Sequence, residues 1–299
     1  MTLLLGMLLD ALLGEPRWLW SRLPHPAVLM GRAVGWIDTR FNTGDRRKRN
    51  GTLGLAALCL GAALLGLALM AVPGSWVDVI VLAILLAQRS LVDHVRAVAT
   101  GLRAGLAQGR AAVAMIVGRE TATLSESATA RAAIESAAEN LSDGVVAPAF
   151  WFAVAGLPGL LVYKITNTAD SMIGYRTPKY ADFGWAAARF DDVLNWVPAR
   201  LTAALIWATT PSRRSIAPII AEAPLHRSPN AGWPEAAMAH VLGIALSGPR
   251  SYDGALRDYP FVNPDGRHLI GPPDIDRACR TLWLTWGLAV FATVIVALF

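Results

Sequence analysis

Charge is scarce in this chain, and cysteine is scarcer. Charged residues make up 16% of the 299 positions and apolar residues 54%. Soluble domains carry about a quarter charged residues, so an ordinary soluble domain is excluded and a membrane protein is indicated. The two cysteines, Cys59 and Cys279, lie in or beside apolar runs and offer neither a disulfide framework nor metal-ligand spacing. The five histidines are scattered, with no H-E-x-x-H arrangement, which argues against a zinc or iron–sulfur site. No Walker-type G-x-x-x-x-G-K-S/T loop and no G-x-G-x-x-G turn occur, so any nucleotide would be held by Mg²⁺ and basic side chains. The N-terminus lacks a basic stretch and a small-residue cleavage site, and no removable signal peptide is expected. Internal repeats and low-complexity tracts are absent from the sequence as well.

What is present is a set of long apolar runs with a biased charge around them. The net charge is +5, and part of it sits in "DRRKRN", residues 45–50, directly before an apolar run. With no aromatic residues interleaved, that block reads as the cytoplasmic flank of a membrane helix and not as a nucleic-acid patch. The pattern predicts an all-α, polytopic membrane protein of one domain with a cytoplasm-facing active-site region. Spans are expected at 51–72, 75–90 and 282–299, with shorter apolar segments at 2–13 and 200–211. The runs 51–72 and 75–90 would form a hairpin across the turn Pro73–Gly74. Segments 89–143 and 212–281 are expected to be polar excursions. The run 144–163 is interrupted by "GLPG", so it either spans once or returns as two half-helices. The returning form is preferred, because polar clusters flank it on both sides and one site needs them together.

Three constellations carry candidate chemistry. Arg131, Glu135, Glu139 and Asp143 are spaced by four and form one helical stripe, with Asn140 beside Glu139. An Arg131–Glu135 pair on a solvated face explains the first two. It does not explain Glu139, Asn140 and Asp143 at the mouth of an apolar segment, where ionisable groups are costly. In "KITNTADSMIGYR", Asn167, Asp170 and Ser171 share one face, followed by Tyr175 and Arg176. A helix end with Gly174 accounts for the glycine and the arginine, but Asn and Asp are poor choices for a helix interior. In "ARFDDVLNWVPAR", Asp191, Asp192 and Asn195 supply hard oxygen ligands of the kind Mg²⁺ shares with substrate phosphates, and Arg189 and Arg200 are available for anions.

In order and spacing, "HPAVLMGRAVGWID", "GRETATL", "ARAAIESAAENLSDGVVAPAFW", "YKITNTADSMIGYR", "AARFDDVLNWVPARL" and "SPNAG" resemble the CbiB/CobD-type membrane synthases of cobalamin biosynthesis. The resemblance covers nearly the whole chain. Glu120 stands where the family pattern has Asp, and Ser247–Gly248 where it has paired glycines. It implies adenosylcobinamide-phosphate synthase activity in the bacterial inner membrane. That reaction is an ATP-dependent amide bond between the propionate of adenosylcobyric acid and aminopropanol or its phosphate. A mechanism through an acyl phosphate would use Mg²⁺ held by some of Glu139, Asp143, Asp191 and Asp192. Lys164, Arg176 or Arg200 would stabilise the transferring phosphoryl group, and Glu135 or Asp170 would take the amine proton. Contacts to substrate or nucleotide are expected from His25, Arg119, Asn140, Asn167, Ser171, Tyr175, Arg176, Asn195 and Asn230. Oligomerisation is compatible with this reading, and no nucleic acid is expected as a partner. Two rivals remain. One is a Mg²⁺-dependent prenyl or phosphatidyl transferase, for which "DD..N" is similar to diphosphate-binding helices. The other is a transporter built around the broken segment.

Overall fold

A computed structural model describes residues 1–210, 215–252, 255–257 and 259–298. In chain order the helices are α1 (Thr2–Leu13), α2 (Arg17–Trp20), α3 (Pro26–Phe41), α4 (Arg47–Met70), α5 (Trp76–Leu85), α6 (Gln88–Ala104) and α7 (Leu106–Val113). There follow α8 (Glu126–Leu141), a π-helical turn (Ser142–Val146), α9 (Ala147–Ile173), α10 (Trp185–Leu194), α11 (Trp196–Ala208), α12 (Ala217–Glu222), α13 (Gly232–Leu242) and α14 (Pro272–Leu298). Two short antiparallel ribbons are the described strands: β1 (Leu246–Ser247) pairs with β4 (Phe261–Val262), and β2 (Arg250–Tyr252) with β3 (Ala255–Arg257). The architecture is that of an all-α membrane protein. The chain separates into two compact units, Met1–Ala87 with Asp143–Trp196, and Gln88–Ser142 with Val197–Phe299.

Among the described residues, three helical stretches are long and apolar enough to cross a bilayer: Arg47–Met70, Glu126–Ile173 and Pro272–Val296. The 24 residues of α4 span about 36 Å at 1.5 Å per residue, enough for a hydrocarbon core of about 30 Å. Leu53, Leu60, Leu64, Leu65 and Leu67 all stand exposed on α4, as a lipid-facing surface requires.

The 48 residues of Glu126–Ile173 would measure about 72 Å as a straight rod, more than twice the core thickness. Within α9 the chain does not run straight. Ala155 (φ −140°, ψ 21°) and Gly156 (φ 59°, ψ −149°) leave helical geometry, and the positive φ is one that glycine adopts without a steric penalty. The halves then lie side by side. The Tyr163 hydroxyl is 3.1 Å from the carbonyl oxygen of Asp143, twenty residues earlier, a separation of about 30 Å along a straight helix. A Cβ at Gly159 would fall 2.4 Å from the carbonyl oxygen of Trp151, so the absence of a side chain there permits the close return. From α4, Gly66 packs directly on the returning turn, where a Cβ would stand 2.5 Å from the Pro158 nitrogen.

Several boundaries differ from those read off the sequence. In place of a span over 75–90, α5 has ten residues, about 15 Å, and ends where Leu86 turns extended (ψ 159°). It seats Leu82 against Gly6 of α1, where a Cβ would come within 2.5 Å, so α1 takes a place the sequence reading gave to α4. The helix expected at 51–72 begins earlier, at Arg47, inside the basic block. The last one begins at Pro272 and not at 282. Asp274 accepts the Gly271 N–H at 3.1 Å and pairs with Arg267 and Arg277, which closes the first turn and draws Arg277 into the helix. The segment 212–281 is not purely polar excursion: Ala236, Ala237, Met238 and Ala239 of α13 are fully buried.

The first unit has its core where α3, α4, α9 and α10 meet, around Val34, Ile37, Leu55, Ile165, Ala169 and Phe183. In the second unit α8 is packed through small residues. Ala130, Ala133, Ala137 and Ala138 have no exposed surface, so the alanine-rich sequence is a core face and not a solubilised one.

Candidate functional site

The first unit builds an acidic, amide-bridged centre from three pieces of chain. Tyr163, Asn167 and Asp170 lie on one face of the returning half of α9, at spacings of four and three. The π-helical turn presents Asp143, and such turns are frequent at functional sites. Asp191 and Asn195 come from α10 and its C-cap, again four apart. The Asn167 side-chain amide donates to Asp143 Oδ2 at 3.4 Å and to Asp191 Oδ1 at 3.3 Å. The Asn195 amide donates to Asp191 Oδ2 at 2.9 Å. The Tyr163 hydroxyl meets Asn195 Oδ1 at 3.0 Å, which fixes the amide with its NH₂ toward Asp191. Two carboxylates thus face one amide, and both oxygens of Asp191 accept bonds from asparagines.

This arrangement perturbs the acids. Burial, and after it the charge of Asp170, push the Asp191 carboxyl up from 3.8 to about 7, against the bonds from Asn195 and Asn167 that pull it down. Burial also raises Asp192, opposed by Arg189 and Arg176. Arg189 Nη1 lies 3.8 Å from Asp192 Oδ2. Lys164 is half-buried, and the opposing charges of Asp143 and Glu15 act on it. Ser171, Tyr175 and Arg176 are exposed just beyond the centre in sequence.

His25 holds a different position from the one expected. Its Nδ1 accepts the Ala27 N–H at 3.2 Å and its Nε2 donates to the Ile84 carbonyl at 3.2 Å. Both ring nitrogens are spent on backbone, so His25 caps α3 instead of presenting a free nitrogen to substrate. Burial lowers its pKa, which favours the neutral ring that this cap requires.

The remaining candidates belong to the second unit. Glu135 is buried and pairs with Arg119 at 2.9 Å, not with Arg131, and its other oxygen accepts the Ser247 N–H at 2.7 Å. Arg131 donates instead to the carbonyls of Ala245 and His268. Ser247 has φ 61°, a conformation costly for a residue with a side chain, and the bond to Glu135 helps hold it. Glu139 and Asn140 are exposed at the end of α8, and the Asn140 amide bonds back to Ser136. Arg200 reaches Asn230 Oδ1 at 3.2 Å and stacks over Trp233 at 4.7 Å.

Among the described residues, no three His, Cys, Asp or Glu side chains converge as a metal cage. Asp143 and Asp191 offer the one or two carboxylates that a Mg²⁺ ion typically takes before phosphate oxygens and water complete its shell, while the Asn167 NH₂ group donates to both acids and is not itself a ligand. Tyr163 was not singled out from the sequence, although its four-residue spacing to Asn167 was visible. Nor was Trp151, whose Nε1 donates to the Leu194 carbonyl at 3.0 Å and ties α10 to the outgoing half of α9.

Fold and site together define a helical integral membrane protein with a buried acidic centre on a doubled-back helix. The family model described as CobD/Cbib protein matches residues 3–282, and the chain belongs to that family. It is 50% identical over 314 residues to the cobalamin biosynthesis protein CobD of Rhizobium meliloti (strain 1021), covering 99% of this chain and 96% of that protein. It is 48% identical over 316 residues to the protein of the same name from Brucella suis biovar 1 (strain 1330), covering 99% and 97%. With that of Rhodobacter capsulatus the identity is 45% over 280 residues, covering 90% and 88%. No solved structure matches the chain.

Proposed function

We propose that this protein acts in cobalamin biosynthesis by forming the amide bond between the propionate of adenosylcobyric acid and aminopropanol or its O-phosphate. The family match over residues 3–282 supports the pathway, and the Asp143–Asn167–Asp191 bridge supports the chemistry. A carboxylate is a poor acyl donor. ATP converts it to an acyl phosphate and leaves as ADP; the amine nitrogen then attacks the carbonyl carbon, phosphate leaves, and the amine proton passes to a base. When bound, Mg²⁺ supplies charge neutralisation at the phosphates. In this reading Asp143 and Asp191 hold it, and Asn167 and Asn195 keep their oxygens aligned. Asp170 is the base, since it shares the face of Asn167. Arg176 and Lys164 offset phosphoryl charge from either end of the same helix segment. The basic residues 46–49 support a cytoplasmic position for that end of α4, with the protein in the inner membrane.

The test is product formation by purified protein supplied with adenosylcobyric acid, ATP, Mg²⁺ and either amine. Asn167→Ala and Asp143→Asn should each lose at least a hundredfold in turnover, while remaining folded in detergent. Wild-type turnover in both variants, or ADP release that ignores the corrinoid, would sink the reading.

A further inference from the structure

The exposed face of α4 runs without a break from the basic block into the lipid-facing leucines. Arg46, Arg49, Leu53, Leu60, Leu64 and Leu67 follow one another at steps of three, four or seven residues, so they form one stripe along the helix. All six are exposed. The two guanidinium groups therefore stand directly above the surface that lipid tails cover.

The basic residues of the block do not share one role. Arg47 turns to protein, with Nη1 donating to the Pro178 carbonyl at 3.2 Å. Lys48 Nζ lies 4.0 Å from the ring centre of Trp185. Among the described residues, no carboxylate pairs with Arg46 or Arg49. With Lys48 these two line an open depression of about 540 Å³, whose other walls are Thr52, Leu53 and one acid, Asp45. Three basic heads thus face a single carboxylate.

The level of this depression is that of a membrane interface. Ile37 of α3 packs at Gly54, where a Cβ would come within 2.7 Å of its Cγ2. That sets the neighbouring Trp36, exposed and edge-to-face with the exposed Phe41 at 5.7 Å, level with the foot of the depression. Exposed aromatics gather where hydrocarbon gives way to headgroups. From Leu53 to Leu64 the stripe descends about 16 Å, close to the roughly 15 Å of hydrocarbon in one leaflet.

Charge then selects the ligand. Guanidinium groups take phosphate through paired N–H donors. A headgroup that also carries an ammonium would set it against Arg46, Lys48 and Arg49. A headgroup whose one charge is its phosphate avoids that repulsion. We propose that the start of α4 binds an anionic glycerophospholipid, with its phosphate on Arg46 and Arg49 and its acyl chains along Leu53 and Leu60. This binding is separate from amide formation and needs neither ATP nor corrinoid.

Native mass spectrometry of the detergent-solubilised full chain, titrated with phosphatidylglycerol or phosphatidylcholine, tests this. Phosphatidylglycerol is expected to bind at least about tenfold tighter. Arg46→Gln/Arg49→Gln leaves Arg47 and Lys48 in place and alters only exposed positions, so folding is not threatened. It should weaken phosphatidylglycerol about 25-fold, about fivefold for each basic residue removed. Arg89→Gln/Arg103→Gln removes the same charge from α6 and should leave the affinity unchanged. Equal binding of the two lipids, unchanged affinity in the α4 variant, or an equal loss in the α6 variant would overturn the proposal. Displacement of the lipid by inorganic phosphate would overturn it too, because the site would then be one for free anions.

Discussion

Replacing Asp191 by asparagine should stabilise the protein at alkaline pH and do little at acid pH. The Asp191 carboxyl stands at about 7 in the fold against 3.8 outside it. Such a group binds its proton more tightly folded than unfolded. Its contribution to stability is fully present below 3.8 and is lost as pH rises to about 7. The interval corresponds to about 4 kcal/mol between the protonated and ionised limits. The amide of the Asp191→Asn variant would never ionise and would avoid that loss. It would carry a cost of its own, because Asn167 and Asn195 both donate to Asp191 and one of them would now face an NH₂ group. That conflict costs about 1–3 kcal/mol. At pH 8 the net is a gain of about 2 kcal/mol, whereas at pH 5 most of the gain is gone. Chemical denaturation in detergent at the two pH values measures both. Added Mg²⁺ at pH 8 should stabilise the wild type and not the variant, because the cation favours the ionised carboxylate. A variant that is less stable than wild type at pH 8, with an unchanged pH slope, would refute the reasoning.

Three further outcomes follow from other parts of the structure. Glu135→Ala should destabilise the second unit by about 3–5 kcal/mol, since it strands the buried Arg119 guanidinium and the Ser247 N–H. The double variant Arg119→Met/Glu135→Leu should cost less than the sum of its parts in the same denaturation assay. Gly66→Val should cost at least about 1–3 kcal/mol, read as lost folded yield on size-exclusion chromatography, because the new Cβ meets backbone at Pro158 and Leu157 that cannot rotate away. His25→Ala should cost about 1 kcal/mol through the lost helix cap. With the His25 pKa lowered in the fold, the unfolded chain binds the proton more readily, so wild-type stability should fall as pH drops below 6.5 and the alanine variant should show less of that fall.

The class of protein and the ingredients of the site are written in the linear chain. With 16% charged residues, the chain must keep most of its surface in lipid or core, and the run beginning at residue 51 announces a spanning helix without any tertiary information. Asn167, Asp170, Asp191 and Asn195 were legible because asparagine and aspartate inside helices have no local reason to be there. Periodicity gives the face of one helix, and it is silent on which face of another helix meets it. For that reason Glu135 was read beside Arg131, its neighbour four residues away, while the fold gives it Arg119 and the Ser247 N–H from distant chain. Both His25 nitrogens were also absorbed by backbone that no local pattern reveals. The extent of α5 was decided by one extended residue, Leu86, within an apolar run that hydropathy alone continues.

The path of the segment after Asp143 was likewise settled by distant contacts. Its composition allowed a crossing or a return. The return depends on a positive φ at Gly156, on backbone contact at Gly159 and Gly66, and on a tyrosine that reaches a carbonyl twenty residues back. These are contacts between residues far apart in the chain. They bring Asp143 within reach of the amide that Asp191 also shares, and no reading of either acid in its own helix could have joined the two.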